Sequence, residues 1–239
     1  MSEILPVLIL NARPGAGKSE LLHGLGTLPK LELMDRFHLG DIHTIDDFPM
    51  LWTWFEEDHI LEQVFQRDRL HTTPEGYFLY EDLWHLLIRR LSLEYQKWLR
   101  DAEPETTVVL EFSRGSEHGG YQTAYQHLSD SILANAASLY IHVSYEESLR
   151  KNRARFNPDR PDTILEHGLS DEKLEALYRE DDWSEFSAQD PEYLHVRDHR
   201  LPYAIFPNED DVTTDGGTSM LDRLEEVMSK LWIRWQAVH

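Results

Sequence analysis

Apolar positions along the chain gather into five short runs, separated by stretches in which they recur with a helical period. The runs are Leu5–Leu10, Asp41–Ile45, Thr107–Phe112, Ser138–Val143 and Tyr203–Phe206. Such lengths suit buried strands and are too short for helices. Helical spacing marks Lys18–Leu25, Trp52–Arg69 and Leu79–Leu99. In the last of these, Leu83, Leu86, Leu87, Arg90, Leu91 and Tyr95 recur together. Near the C-terminus Leu221, Leu224, Val227, Met228, Leu231, Trp232 and Trp235 form one stripe, which predicts a helix docked on the core. Strands alternating with helices predict an α/β fold with a parallel sheet of roughly five strands, covered on both faces. No repeat, low-complexity tract or Gly/Ser-rich linker divides the chain, so residues 1–239 are expected to form one domain. Two segments read as irregular and mobile: Asn157–Ser170, with Pro158, Pro161 and Gly168, and Glu209–Thr218, with Gly216 and Gly217.

The first apolar run leads into Ala12-Arg13-Pro14-Gly15-Ala16-Gly17-Lys18-Ser19, and a helical pattern follows at once. This is the Walker A pattern with alanine in place of its first glycine, in the strand–loop–helix context the motif requires. Gly15 and Gly17 let backbone amides turn towards an anion. The helix that begins near Lys18 points its positive end the same way. In this pattern Lys18 reaches the β- and γ-phosphates and Ser19 offers a hydroxyl to magnesium. Arg13, Gly15, Ala16, Gly17, Lys18 and Ser19 are thus the expected triphosphate contacts.

Charge changes the list of partners. Asp and Glu number 44 against 23 Lys and Arg, a net charge of -21. Such a chain repels nucleic-acid backbones and anionic membranes at long range, so neither is an expected partner. The chain has no cysteine, which excludes disulfides, thiolate metal sites and a cysteine nucleophile. No apolar run reaches membrane-spanning length, and a cytoplasmic protein is expected. The sequence carries no signal for oligomeric state.

The guanine-reading Asn-Lys-x-Asp run and the Leu-Ser-Gly-Gly-Gln signature of transport ATPases do not occur. Three further stretches bear on the class: Ile45-Asp46-Asp47-Phe48, Val108–Gly115 with Glu111 and Arg114, and Arg150-Lys151-Asn152-Arg153-Ala154-Arg155. With the phosphate loop, they make the chain resemble the P-loop nucleoside and small-molecule kinases, the group of uridine kinase and the nucleoside monophosphate kinases. The resemblance spans most of the chain, and only the loop is a specific motif. It implies a three-layer P-loop NTPase fold, with a helical insertion at about 48–100 and a lid at about 150–170. It also implies ATP, magnesium and a small-molecule acceptor.

On that resemblance Asp46 matches the general base at the end of the second strand. The plainer reading is an acidic pair capping the next helix. Glu111 sits where a Walker-B-like acid would, holding magnesium or acting as the base instead, and Asp47 stays a third candidate. Arg114 matches an arginine gripping the acceptor or the moving phosphoryl group; the alternative is an ordinary polar turn. Arg150, Arg153 and Arg155 match lid arginines, against a solvated helix end as the alternative. Phe206-Pro207-Asn208 occupies the place of an adenine-covering loop in those kinases, but a plain turn is the preferred reading. The thirteen histidines show no zinc-ligand spacing, and His118 stands out because it follows Arg114 in a glycine-containing loop. The aromatic residues of the insertion (Trp52, Trp54, Phe55, Tyr77, Phe78, Tyr80, Trp84) are candidates for an acceptor wall or for core. Two rival functions share Lys18 and Ser19: an NTPase that uses water as acceptor to drive a partner or conformational change, and a nucleotide-binding module without catalysis.

Overall fold

A computed structural model describes residues 3–155 and 169–239. Along the chain, β1 (Val7–Ala12) leads to α1 (Lys18–Gly26) and α2 (Lys30–Phe37). Next, β2 (Asp41–Asp46) leads to the helical pair α3 (Asp47–Gln63) and α4 (Asp82–Trp98). Then come β3 (Thr106–Phe112), the short helices α5 (Gly120–Gln126) and α6 (Asp130–Leu133), β4 (Ala136–His142) and α7 (Tyr145–Arg155). After α8 (Asp171–Tyr178) and α9 (Trp183–Ser187), a hairpin of β5 (Tyr193–Val196) and β6 (His199–Pro207) precedes α10 (Val212–Asp215) and α11 (Gly217–Gln236).

The strands form one six-stranded sheet in the order β2-β3-β1-β4-β6-β5. All neighbours run parallel except β5, which is antiparallel to β6. Strand periodicity places successive side chains on opposite faces. In β1, Leu8, Leu10 and Ala12 pack with Leu21 of α1, Phe37 of α2 and Leu224 of α11. Val7 and Ile9 pack on the other face with Leu91 of α4, Tyr125 of α5 and Phe186 of α9. The result is a helix–sheet–helix sandwich, the expected α/β architecture. Among the described residues no helix is long and apolar enough to cross a membrane.

Where the structure departs from expectation, the cause is local. The sheet has a sixth strand, β5, because a four-residue edge strand carries too few apolar positions to register as a run. Helix α3 begins at Asp47 rather than Trp52, because the Asp46 carboxylate accepts a hydrogen bond from the Phe48 amide, 3.0 Å, and caps it. Leu86 of α4 is exposed although it shares the stripe spacing. The expected mobile segment from Asn157, with Pro158, Pro161 and Gly168, lies outside the described residues except for its last two positions.

The chain leaves β1 towards β2 on one side, while β4 flanks β1 on the other. In open parallel sheets such a switch point opens a crevice at the carboxyl ends of the strands, where ligands bind. The loop from Ala12 to Ser19 leaves β1 at that crevice.

Candidate active site

The phosphate loop is held from three directions. The Ala16 amide donates to the Arg13 carbonyl, 3.2 Å, closing the turn. Behind the loop, Asn208 Nδ2 donates to the Ala16 carbonyl, 2.9 Å, and to Thr213 Oγ1, 2.8 Å. The Ser148 hydroxyl of α7 donates to the Pro14 carbonyl, 2.7 Å. Lys151 donates to Thr213 Oγ1, 3.1 Å, and pairs with Asp211, 2.6 Å. Beneath the loop, the Tyr121 hydroxyl donates to the Ala12 carbonyl, 3.0 Å. Phe206-Pro207-Asn208 runs into a turn, where the Asp211 amide donates to the Asn208 carbonyl, 3.1 Å, and Asn208 is buried behind the loop and buttresses it. Glu209–Thr218 is likewise no loose loop: it contains α10, whose Thr213 is buried against the same buttress.

Gly15 and Gly17 adopt φ of 74° and 104°, the left-handed region that favours glycine. A Cβ on Gly17 would fall 2.3 Å from Thr213 Oγ1. Gly17→Ala combines that clash with backbone strain of about 1–3 kcal/mol. It is expected to weaken triphosphate binding about tenfold or more, measured by calorimetric titration with a non-hydrolysable ATP analogue. Unchanged affinity would dissociate this loop from phosphate binding.

Two carboxylates meet the loop helix. Asp46 and Glu111 are register partners at the ends of β2 and β3, so their side chains leave the sheet side by side on one face. Both line the cavity that contains Lys18 and Ser19. Burial pushes the Asp46 carboxyl up to about 6, with the Asp47 charge adding to the rise. Burial pushes Glu111 up to about 7, against the pull of Lys18 and with further rise from Asp46 and Asp47. Lys18 Nζ donates to Ser113 Oγ, 2.9 Å. Ser113 escaped the sequence reading, although its place directly after the β3 strand end was the signal.

The arginines part company. Arg114 is buried in an ion pair with Asp47, 2.7 Å. Its Nη2 donates to the Trp84 carbonyl, 3.1 Å, and its guanidinium lies over the Trp84 and Phe112 rings. It therefore joins β3, α3 and α4, with Asp47 already balancing its charge. Arg155 donates to Ser19 Oγ, 3.2 Å, at the cavity wall. Arg13 turns away to Asp181, 2.8 Å, and to the Val143 carbonyl, 3.2 Å. Arg150 pairs with Glu147 and Asp211, and Arg153 pairs with Asp171, all at the surface. The expected lid lies for the most part in 156–168, outside the described residues.

Beyond the loop the cavity, of about 590 Å³, runs on between α3, α4 and α8. Phe48, Trp52, Phe55, Tyr77, Phe78, Tyr80 and Trp84 line this extension, and Trp54 joins the small core of the insertion, to which Trp84 also belongs. The segment carrying Tyr77 and Phe78 is organised by Asp58, whose buried carboxylate accepts from the Leu70, His71 and Thr72 amides and the Thr72 hydroxyl. Those bonds hold the Asp58 carboxyl down at about 2 in spite of its burial.

Magnesium fits the oxygens present. The Ser19 hydroxyl and the Asp46 and Glu111 carboxylates share one cavity, and a dication would relieve the crowding of buried negative charge. Among the described residues no group of three or more His, Asp or Glu forms a ready-made metal cage.

No family model matches the chain, and no curated protein matches it. Solved structures do align over nearly its whole length. TT1252 from Thermus thermophilus is 16% identical, covers 95% of this chain and 97% of its own, and gives a TM-score of 0.44. A gluconokinase from Sinorhizobium meliloti 1021 is 12% identical, covers 96% of this chain and 98% of its own, and gives a TM-score of 0.42.

Proposed function

We propose that this protein is a phosphotransferase that uses ATP and magnesium to phosphorylate a small molecule at a hydroxyl or phosphate oxygen. One observation carries the reading: a buried carboxylate pair faces the loop lysine inside a cavity that continues past the loop into an aromatic chamber. Water as sole acceptor needs no such chamber. The loop amides and Lys18 would grip the β- and γ-phosphates. Ser19 and Glu111 would hold magnesium, which supplies neutralisation of charge on the phosphate oxygens.

The acceptor oxygen then forms its bond to the γ-phosphorus as the bond from that phosphorus to the bridging oxygen breaks and ADP leaves. The acceptor proton passes to a carboxylate, Asp46 in our assignment. An acid raised to about 6 is ionised at neutral pH yet basic enough to take a proton. Arg155, which bonds the Ser19 hydroxyl, would meet the triphosphate. The test compares ADP release with and without candidate acceptors. Acceptor-dependent turnover well above the water background is expected. A rate that no acceptor raises would favour the NTPase reading, and ATP binding without any turnover would favour the non-catalytic one.

A further inference from the structure

Arg13 belongs to the phosphate loop, yet its side chain does not line the cavity and is engaged elsewhere. Its Nε donates to the Tyr178 carbonyl, 3.3 Å, and its Nη2 to the Arg179 carbonyl, 3.2 Å. Its Nη1 donates to the Val143 carbonyl, 3.2 Å, and pairs with Asp181, 2.8 Å. Tyr178 and Arg179 end α8, where the last carbonyls lack partners within the helix and a cation suits the dipole. The planar fork of the guanidinium meets all four acceptors at once. Asp181 is itself fixed, since it accepts from the Tyr140 hydroxyl, 2.9 Å, and from the Trp183 amide, 3.2 Å.

Helix α8 forms a wall of the chamber through Lys173, Leu177 and Tyr178. Its C-terminal end also meets the turn after β3. There the Ser116 amide donates to the Glu180 carbonyl, 2.8 Å, and a Cβ on Gly115 would fall 1.8 Å from the Leu177 carbonyl oxygen. Gly115 and Ser116 follow Ser113, whose hydroxyl holds Lys18. The end of α8 is therefore bound both to the phosphate loop and to the turn after β3. Within the phosphate loop, the Arg13 carbonyl accepts from the Ala16 amide, 3.2 Å. A loop that re-aims its amides at an anion thus moves the backbone that carries the Arg13 side chain. Close-packed contacts transmit such a shift instead of absorbing it.

Building on the triphosphate site of the phosphotransferase reading, we propose that Arg13 is a positioning residue that ties α8 to the phosphate loop, so that a triphosphate on the loop stiffens the chamber wall. The coupling needs phosphate binding and not transfer. Arg13 does not touch the phosphates; it acts through Tyr178 and Arg179. Coupling is reciprocal, so a ligand that braces α8 tightens triphosphate binding by the same factor.

The experiment follows amide hydrogen exchange in the full chain, empty and saturated with a non-hydrolysable ATP analogue and magnesium. Calorimetric titration fixes saturation for each variant. In the parent, exchange in Asp171–Tyr178 should slow about tenfold on saturation, a usual size for coupling between sites. Arg13→Met removes the fork. Asp181→Asn is combined with it, because methionine alone would leave that carboxylate, its side chain 6% exposed, without its cation. In this pair variant the analogue should still bind, β1 should keep the protection of the parent, and α8 should slow by less than about twofold. Asp181→Asn alone keeps the bonds to α8 and should keep the slowing of the parent. Arg13→Lys retains a cation for Asp181 but not the fork, and should recover only part of the slowing. The same slowing of α8 in the pair variant as in the parent, or none in the parent with the analogue bound, would overturn the inference. So would a pair variant that loses the analogue, which returns Arg13 to the phosphates, or one whose exchange rises equally in β1 and α8, which makes Arg13 a brace of the whole fold. A parent that fails to bind the analogue would overturn the triphosphate site, and the coupling with it.

Discussion

Lys18→Ala is expected to lower turnover about a hundredfold to a thousandfold, the scale on which preorganised contacts to developing charge act. The ammonium is held by the Ser113 hydroxyl just after β3, which on the proposed reading would limit its reorganisation when phosphates bind. Alanine removes that charge from the mouth of a helix without adding bulk. The fold should survive, because Lys18 belongs to the cavity and not to either core. The informative measurement is single-turnover transfer from ATP beside a thermal melt. Loss of transfer with an unchanged melt supports the loop as the seat of phosphate chemistry, and a variant as active as the parent would end that assignment.

The carboxylate pair gives the second large effect. Asp46→Asn should lower turnover about a hundredfold to ten-thousandfold, with triphosphate affinity retained. Glu111→Gln should impair turnover through magnesium. If Glu111→Gln alone is impaired, Glu111 is the base and the Asp46 assignment falls. Since a base must be ionised, activity in the parent should climb as pH rises through about 6 to 7 and then level off. Removing the Asp46 charge takes away one cause of the rise at Glu111, so the Glu111 carboxyl should titrate at lower pH in Asp46→Asn. Stability runs the other way. The Glu111 pKa is raised from 4.5 to about 7, so the fold disfavours the charged form. That acid's contribution is fully favourable below pH 4.5 and is lost as pH climbs to about 7. Above that pH, Glu111→Gln should therefore stabilise the protein by about 1–3 kcal/mol while disabling it.

How much of this was legible in the sequence depended on the physics of each part. The loop was legible because its glycines answer a backbone demand that no neighbour alters. The β1 and β3 strands were legible because burial on both faces makes their runs continuous, whereas β2, an edge strand mostly open to water, left a weak trace. Asp46 carried two readings, base or helix cap, and its geometry accommodates both: one oxygen caps α3 while the residue lines the cavity. The cations were the least legible. Sequence shows that Arg13, Arg114 and Arg150 are charged but not which carboxylate each finds, and Asp181, Asp47 and Asp211 lie far from them along the chain. The buried His118 Nδ1 and Arg114 Nε, without hydrogen-bond partners among the described residues, leave no mark in sequence at all, because an unmet bond belongs to three-dimensional packing.

The knot at Asp58 has a consequence for how such a protein diverges. The residues between α3 and α4 are tied back to α3 through the Asp58 carboxylate and the Arg69–Glu62 pair, and make no strand of the sheet. Tyr77 and Phe78 ride on that segment, while Lys18, Asp46 and Glu111 belong to the strand ends and the loop helix. On the phosphotransferase reading, heritable changes in ring size or segment length there would alter what enters the chamber without moving the residues proposed to meet the phosphates. Selection for a new acceptor and selection for intact chemistry would then fall on separate stretches of one short chain, and neither would have to wait for the other.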